Sequence, residues 1–433
     1  MTTELTRFTQ WAAEQPQERY TSLMGMLADV QGLAESFARQ KANKAPGVDG
    51  VRKADYEQGL DAKLTDLSAR LRRMAYRPQP ARRVYIPKGD GKGKRPLGLP
   101  SFEDRLVEDR ASGILQAIWE PEFRDCSYGF RPDRSCHTAL SRLNHIITVE
   151  RTQWLVEADI RNFFGSVVVE HMMRFLAHRI GDKNLLRLIR RFLKAGVLDE
   201  GVFHATEQGT PQGNLLSPVL SNIYLHYVLD VWFERRFARR ECRGKAFLVR
   251  YADDFVACFE FGEDARAFEQ ALKGRLQNFG LEVEPTKTAL MRFGTLAPML
   301  CKRDGDRKPC SFNFLGFLHY WEVNRRTGKA TLARKTQGTR MRQKLNALKQ
   351  RLMSMRTEGT RAMQEFVLSH VKGHLQYYGI RGNLRSVSIY MFHVERKLFR
   401  ALNRRGQRRS YNWPQFRRWK RTWMPRPLAV HVL

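Results

Sequence analysis

A chain of 433 residues with 42% hydrophobic content is long enough to bury a sizeable core and to form two or three domains. Its 76 Lys and Arg against 44 Asp and Glu leave a formal charge of +32, an excess that opposes compaction unless a polyanion is bound, and the usual polyanion is nucleic acid. The chain has no apolar run of about 18 residues, no signal-like start at Met1-Thr2-Thr3-Glu4-Leu5 and no Cys-x-x-Cys pair among its six cysteines, which argues against membrane, secretory, zinc-ribbon and disulfide-framework readings.

Residues 1 to about 45 carry Trp11, Leu23, Met26, Leu27, Val30, Leu33 and Phe37 at helical spacing, predicting a packed amphipathic extension that ends at the breaker Ala45-Pro46-Gly47-Val48-Asp49-Gly50. Ile86-Pro87-Lys88 then leads into a glycine-rich basic turn running to Arg95-Pro96. Its cations suit a triphosphate, although a solvated hairpin loop explains the residues alone equally well. Cys126-Ser127-Tyr128-Gly129-Phe130-Arg131-Pro132 follows, with Arg131 a candidate contact to a nucleic-acid backbone or a packing residue, and His137 beyond it is read as structural.

The run Trp154 to Ile160 reads as a strand carrying Asp159, with Phe163 and Phe164 just after it. Residues 171 to 197 are core helix material, and Gln208-Gly209-Thr210-Pro211-Gln212-Gly213 fixes a turn before the apolar helix beginning near Leu215, where backbone amides and Gln212 can face a nucleotide and primer; a plain turn before a core helix is the competing reading. Tyr251-Ala252-Asp253-Asp254 lies between two apolar runs and reads as a tight hairpin, although the glycine usual in a two-residue turn is missing. Adjacent semi-buried carboxylates repel each other and lose hydration, so a hard divalent cation is their natural partner; ordinary turn aspartates are the competing reading. With Asp159 as a third ligand, the set suits two Mg²⁺ ions roughly 3.5–4 Å apart, as used for phosphoryl displacement.

A helix is expected from Phe268 to Phe279 and a strand at Leu281-Glu282-Val283-Glu284 leading to Lys287, then a glycine turn at Phe314-Leu315-Gly316-Phe317. Met341, Leu345, Leu348, Leu352 and Met355 mark a basic amphipathic helix. From Arg381 to Leu433 there are fourteen Lys or Arg and one acid, interleaved with aromatic residues that suit RNA backbone contact and base stacking, although packing claims such rings as well.

The ordered series of loop, basic turn, first aspartate, Pro-Gln-Gly, two-aspartate turn, lysine and glycine turn resembles a reverse transcriptase, more narrowly the reverse transcriptase/maturase of bacterial group II introns. The resemblance implies an α+β right-hand polymerase fold with a helical extension and template loop over about 1–75, fingers and palm over about 76–325, and a basic thumb and maturase region over about 326–433. It implies catalytic Asp159, Asp253, Asp254 and Lys287, with Asp159, Ile160, Asp253 and Asp254 holding Mg²⁺, for which Mn²⁺ is a substitute. It further implies deoxynucleotide contacts from Lys88, Arg95, Ile160, Phe164 and Gln212, with Phe164 excluding a 2′-hydroxyl, a primer grip at Gly316, and nucleic-acid contacts from Arg131, Arg404, Arg405, Arg408 and Arg409.

The partners implied are RNA template or intron RNA, DNA primer or target DNA, and deoxynucleotides, in a bacterial cytoplasm and not at a membrane. No paired-cysteine endonuclease module is expected. Gly165 to Val169 departs from the family, where an acid and an Asp-His pair are common, and altered packing rather than lost chemistry is expected there. A splicing cofactor with incidental polymerisation, or a domesticated enzyme of repair or phage defence, are the alternative functions.

Overall fold

The computed structural model describes residues 3–87, 93–205, 213–306, 308–323, 327–405 and 410–431. Helices alternate with β1 (Ala81–Pro87), β2 (Lys94–Leu99), β3 (Trp154–Asp159), β4 (Val197–Asp199), β5 (Val202–His204), β6 (Ala246–Tyr251), β7 (Asp254–Phe259), β8 (Ala289–Arg292), β9 (Phe312–Phe314), β10 (Phe317–Val323) and β11 (Ala330–Thr336). They form three sheets, ordered β2-β1-β4-β5, β6-β7-β3-β8 and β11-β10-β9. No described helix is long and apolar enough to cross a membrane.

The chain divides into two compact units. The first comprises Met1–Ile86, Lys94–Ser135 and Leu155–Leu290, and the second chiefly Cys136–Trp154 and Met291–Leu433. The N-terminal helices therefore share a unit with the first two sheets. The reason lies on the helix Phe102–Trp119, whose fully buried Arg110 donates to the Glu4 carboxylate at 2.7 Å and to the Met26 carbonyl at 3.2 Å. Gly32 lies on that guanidinium so closely that a Cβ would stand 2.4 Å from Cζ. Leu23, Leu27, Leu33 and Phe37 are buried, as their spacing predicts, but Trp11 and Val30 are exposed.

The loop at 45–50 is stapled to the same helix. Asp49 accepts from the Phe102 backbone at 2.8 Å, capping the helix N-terminus, and Arg82 donates to the Pro46 carbonyl at 2.7 Å. Gly47 must be a glycine here, since a Cβ would stand 2.5 Å from the Pro100 carbonyl oxygen.

The sheet β6-β7-β3-β8 is backed by the helix Gly262–Gln277, which buries Phe268, Leu272 and Leu276; it starts and ends earlier than the expected 268–279. Phe237, Phe259 and Phe268 pack ring against ring at 5.3–6.3 Å. Helix Ser217–Leu225 buries Val219, Leu220, Ile223, Tyr224 and Leu225 and passes into π-helical turns at His226–Asp230 and Phe233–Glu241, a change of pitch that the apolar pattern does not announce.

In the second unit, the helix Gly338–Ser354 buries Leu345, Leu348 and Leu352, as expected from their spacing, and Met355 is buried just after it. Helices Gly359–Tyr378 and Leu384–Leu402 meet through His374, stacked on Tyr390 at 3.5 Å. His137, in this unit, is structural: its Nε2 bonds the Tyr377 carbonyl at 2.9 Å and its ring stacks on His431. Many of the aromatics of the basic tail pack on one another, with Phe399 on Trp413 at 3.9 Å, Tyr411 on Trp419 at 5.5 Å and Phe416 buried among them. Phe416 is the buried centre of that cluster of rings. Phe392 and Trp413 are the exposed ones among the large hydrophobic residues of this stretch's rings.

Candidate active site

Asp159 is the last residue of β3 and Asp254 the first of β7, and these strands are neighbours in the sheet. Between β6 and β7 the pairing closes with Tyr251 opposite Asp254, which leaves Ala252 and Asp253 as a two-residue turn. Ala252 takes the left-handed conformation, φ +59°, where glycine is normally found. An L-residue there costs about 1–2 kcal/mol, so the surrounding structure must hold the turn in shape.

Burial raises the pKa of Asp253, and the charge of Asp159 raises it further; Lys287 and Arg250 act in the opposite sense. A partly desolvated acid near another acid marks a place that a positive charge would stabilise. Part of that charge comes from Lys287, whose ammonium bonds Asp159 Oδ2. Burial alone lowers the Lys287 pKa, but the hydrogen bond and charge of Asp159, with the charges of Asp254 and Glu284, outweigh it and raise the value. Lys287 therefore keeps its proton at neutral pH.

Backbone pairing brings these residues together. The expected strand at 281–284 is reduced to a bridge between Ile160 and Val283, with Arg161 donating to the Glu282 carbonyl and Glu284 to the Asp159 carbonyl, each at 2.8 Å. The short turn Pro285–Lys287, capped by Glu284, then delivers the lysine. Ile160 itself is buried. Among the described residues no group of three or more His, Cys, Asp or Glu side chains is arranged to hold a metal ion. The chemistry of the donors nevertheless suits a hard divalent ion, because carboxylates borne by two adjacent strands lie close enough for the charge of Asp159 to raise the pKa of Asp253.

The two phenylalanines after β3 part company. Phe163 is buried, with its ring 6.4 Å from Tyr224, whereas Phe164 is only half-buried and stands edge-on to Phe163 at 5.4 Å. Gly165 is packed on the Asn162 side chain, where a Cβ would stand 2.4 Å from Nδ2; Val167 and Val169 are buried, and Val168 lies against Gly280. Val167 and Val169 are thus the core members of this stretch, while Gly165 is exposed.

Arg95 is exposed on β2, and Lys88 and Gln212 lie outside the described residues. Gly213, at φ +113°, is pressed on β2 so that a Cβ would stand 2.5 Å from the Gly98 carbonyl oxygen. Just beyond it, the Leu215 amide donates to Glu108, whose carboxyl is pushed up to about 8 by burial and by Asp104.

Comparison with known proteins decides what this arrangement belongs to. Residues 86–319 match the family model described as reverse transcriptase (RNA-dependent DNA polymerase). The chain belongs to the reverse transcriptase family. It is 36% identical over 277 residues to protein YkfC of Escherichia coli K12, covering 57% of this chain and 72% of that protein. It is 37% identical over 222 residues to the group II intron-encoded protein LtrA of Lactococcus lactis subsp. cremoris, covering 51% of this chain and 37% of LtrA. A nuclear intron maturase of Arabidopsis thaliana is 29% identical over 154 residues, 35% of this chain and 19% of the maturase. Membership gives the chain the polymerase fold of a family that normally uses divalent metal ions, and the relatives it resembles include a group II intron-encoded protein and an intron maturase.

In this reverse transcriptase Arg131 is not available as a nucleic-acid contact. Its guanidinium, 3% exposed, bonds Glu120 at 2.7 Å and the carbonyls of Arg124 and Ser127, and lies over Phe123. Gly316 sits in the second unit, where Leu315 and Gly316 both have positive φ in the two-residue turn from β9 to β10, a local reason for the glycine. Arg404 and Arg405 are exposed after the helix Leu384–Leu402, with Arg405 bonded to the Arg356 carbonyl and to Thr360; Arg408 and Arg409 lie outside the described residues. Lys287 was legible only by resemblance, and Arg250, Asp230 and Glu108 carry no local sequence signal for the roles that burial gives them.

Proposed function

We propose that the protein extends a DNA primer on an RNA template with deoxynucleotides, using two Mg²⁺ ions or Mn²⁺ in their place, and that it binds intron RNA to assist splicing and mobility in a bacterial cytoplasm. The observation that carries the polymerase reading is the half-buried Asp253 carboxyl, whose pKa the charge of Asp159 raises, with Lys287 bonded to Asp159. The intron reading is supported by the likeness to LtrA and to an intron maturase, and by the net charge of +32.

Asp159, Asp253 and Asp254, with the backbone of Ile160, are the groups that would hold the metal. Bound divalent ions lower the pKa of the primer 3′-hydroxyl and offset the triphosphate charge. The hydroxyl oxygen attacks the α-phosphorus in line, and the bond to the β-phosphate oxygen breaks. Lys287, protonated and bonded to Asp159, would give its proton to the departing pyrophosphate, a role its raised pKa and its bond to Asp159 support. Lys88, Arg95 and Gln212 hold the nucleotide, Gly316 serves the primer, and Arg404, Arg405, Arg408 and Arg409 meet nucleic-acid phosphates.

Phe164, half-buried beside Asp159's strand, is assigned to the sugar. Single-nucleotide insertion on a primed RNA template tests both the activity and this role. The parent should insert dNTP, and Phe164→Ala should lose discrimination against rNTP by roughly tenfold or more, because the space of the ring opens to a 2′-hydroxyl. No insertion by the parent contradicts the polymerase reading, and unchanged discrimination returns Phe164 to the core.

A further inference from the structure

We infer that Arg250 is a positioning residue for catalysis: a buried guanidinium, clamped by Asp230, Asn222 and Ser127, holds the carbonyl of Ala252 and thereby sets where the Asp253 carboxylate stands. The inference rests on the reading of that turn as a metal-binding site.

Arg250 lies on β6, one residue before Tyr251, and its side chain and that of Asp230 are both 0% exposed. Nε donates to Asp230 Oδ1 at 2.7 Å and Nη2 to Oδ2 at 2.5 Å; Nη2 also reaches Ser127 Oγ at 2.7 Å. Nη1 donates to Asn222 Oδ1 and to the Ala252 carbonyl, each at 3.1 Å. All five N–H donors of the guanidinium are thus used. Four go to side chains of the scaffold, and one goes to the strained residue of the turn.

The other side of the turn is held by the segment that includes Ser127. Tyr128 donates to the Arg250 carbonyl at 2.8 Å and Arg250 donates to the Cys126 carbonyl at 2.7 Å, so residues 126–128 pair in parallel with β6. Gly129 then meets the turn so closely that a Cβ would stand 2.6 Å from the Ala252 nitrogen, and Asn222 Nδ2 donates to the Gly129 carbonyl at 2.7 Å. The Cys126–Pro132 stretch therefore acts on the Tyr-Ala-Asp-Asp turn, and Asn222 joins its two supports.

Stability alone is a poor reason for such a cluster, because a fully buried ion pair is often no better than apolar side chains of the same volume. Fixing one carbonyl in a left-handed alanine requires the planar fork of arginine, which the single ammonium of lysine does not reproduce. Asp230 belongs to the π-helical turn His226–Asp230, a geometry frequent at functional sites.

The test is primer extension on a primed RNA template, reading kcat per RNA-binding-competent molecule and the Mn²⁺ concentration for half-maximal rate. Arg250→Lys should lower kcat by about 100-fold and raise the metal requirement while RNA affinity holds, since small misplacements of reacting groups have effects of that size. Placed on an Ala252→Gly background, the same substitution should lower kcat by only about tenfold or less, because glycine adopts the left-handed turn unaided. If Arg250→Lys fails to bind RNA, Asn222→Ala decides instead. It leaves the ion pair intact and should show a smaller kcat loss with the same relief by Ala252→Gly. Parent-like kcat and metal dependence, or equal losses on both backgrounds, overturn the inference. Should Asp253→Asn retain extension, the metal reading fails first; should Asp253→Asn be inactive and Arg250→Lys behave as the parent, only the positioning role fails.

Discussion

Asp253→Asn is expected to cut primer extension by roughly a thousandfold or more while RNA binding stays within about twofold of the parent. Asparagine keeps the shape of the side chain and its place in the turn but removes a negative charge. In the parent, that carboxyl is half-buried and feels the charge of Asp159, so it carries a desolvation cost that a cation offsets. Once it is neutral, Lys287 balances Asp159, and Asp254 is the one carboxylate of the turn left to draw a divalent ion. The basic tail after Arg381 needs no metal to meet phosphate, which is why binding should persist. Retained binding with lost extension also leaves the splicing-cofactor reading open to its own assay. A joint loss of extension and binding reports damage to the fold.

The second large effect is of salt. With 76 cationic side chains against 44 acidic ones, RNA affinity should fall steeply, by about 10³-fold or more between about 50 and about 200 mM salt if roughly six to ten phosphates are neutralised. A plot of the logarithm of affinity against the logarithm of salt concentration should be linear with a strongly negative slope. A flat plot contradicts the assignment of this charge to nucleic acid.

What was legible in the sequence follows the range of the interaction involved. Asp159 and Asp253 stand out because an acid in an apolar run is a local anomaly, and the buried Leu345, Leu348 and Leu352 follow from helical spacing. Side-chain partnerships across the chain left no such trace. Lys287 meets Asp159 across 128 residues, and Arg250 meets Ser127 across 123. Arg131 shows the same blindness in reverse: its exposure could not be read from its neighbours, and Glu120 together with nearby carbonyls claims its guanidinium. The missing glycine of the Tyr-Ala-Asp-Asp turn was visible, but its explanation lies in the contacts at Ala252, supplied by Arg250 and Gly129. Charge and aromatic content likewise announced nucleic acid, without showing that many of the C-terminal rings stack on each other.

The most direct test of the central claim is a Mn²⁺-binding titration, followed by the electron spin resonance of free Mn²⁺, on the protein with primed RNA template and a non-hydrolysable deoxynucleotide. The parent should bind about two ions per chain at the site, and Asp159→Asn and Asp253→Asn should each lose one of them or bind it at least about tenfold more weakly. Equal stoichiometry and affinity in parent and variants would show that these carboxylates do not hold the metal.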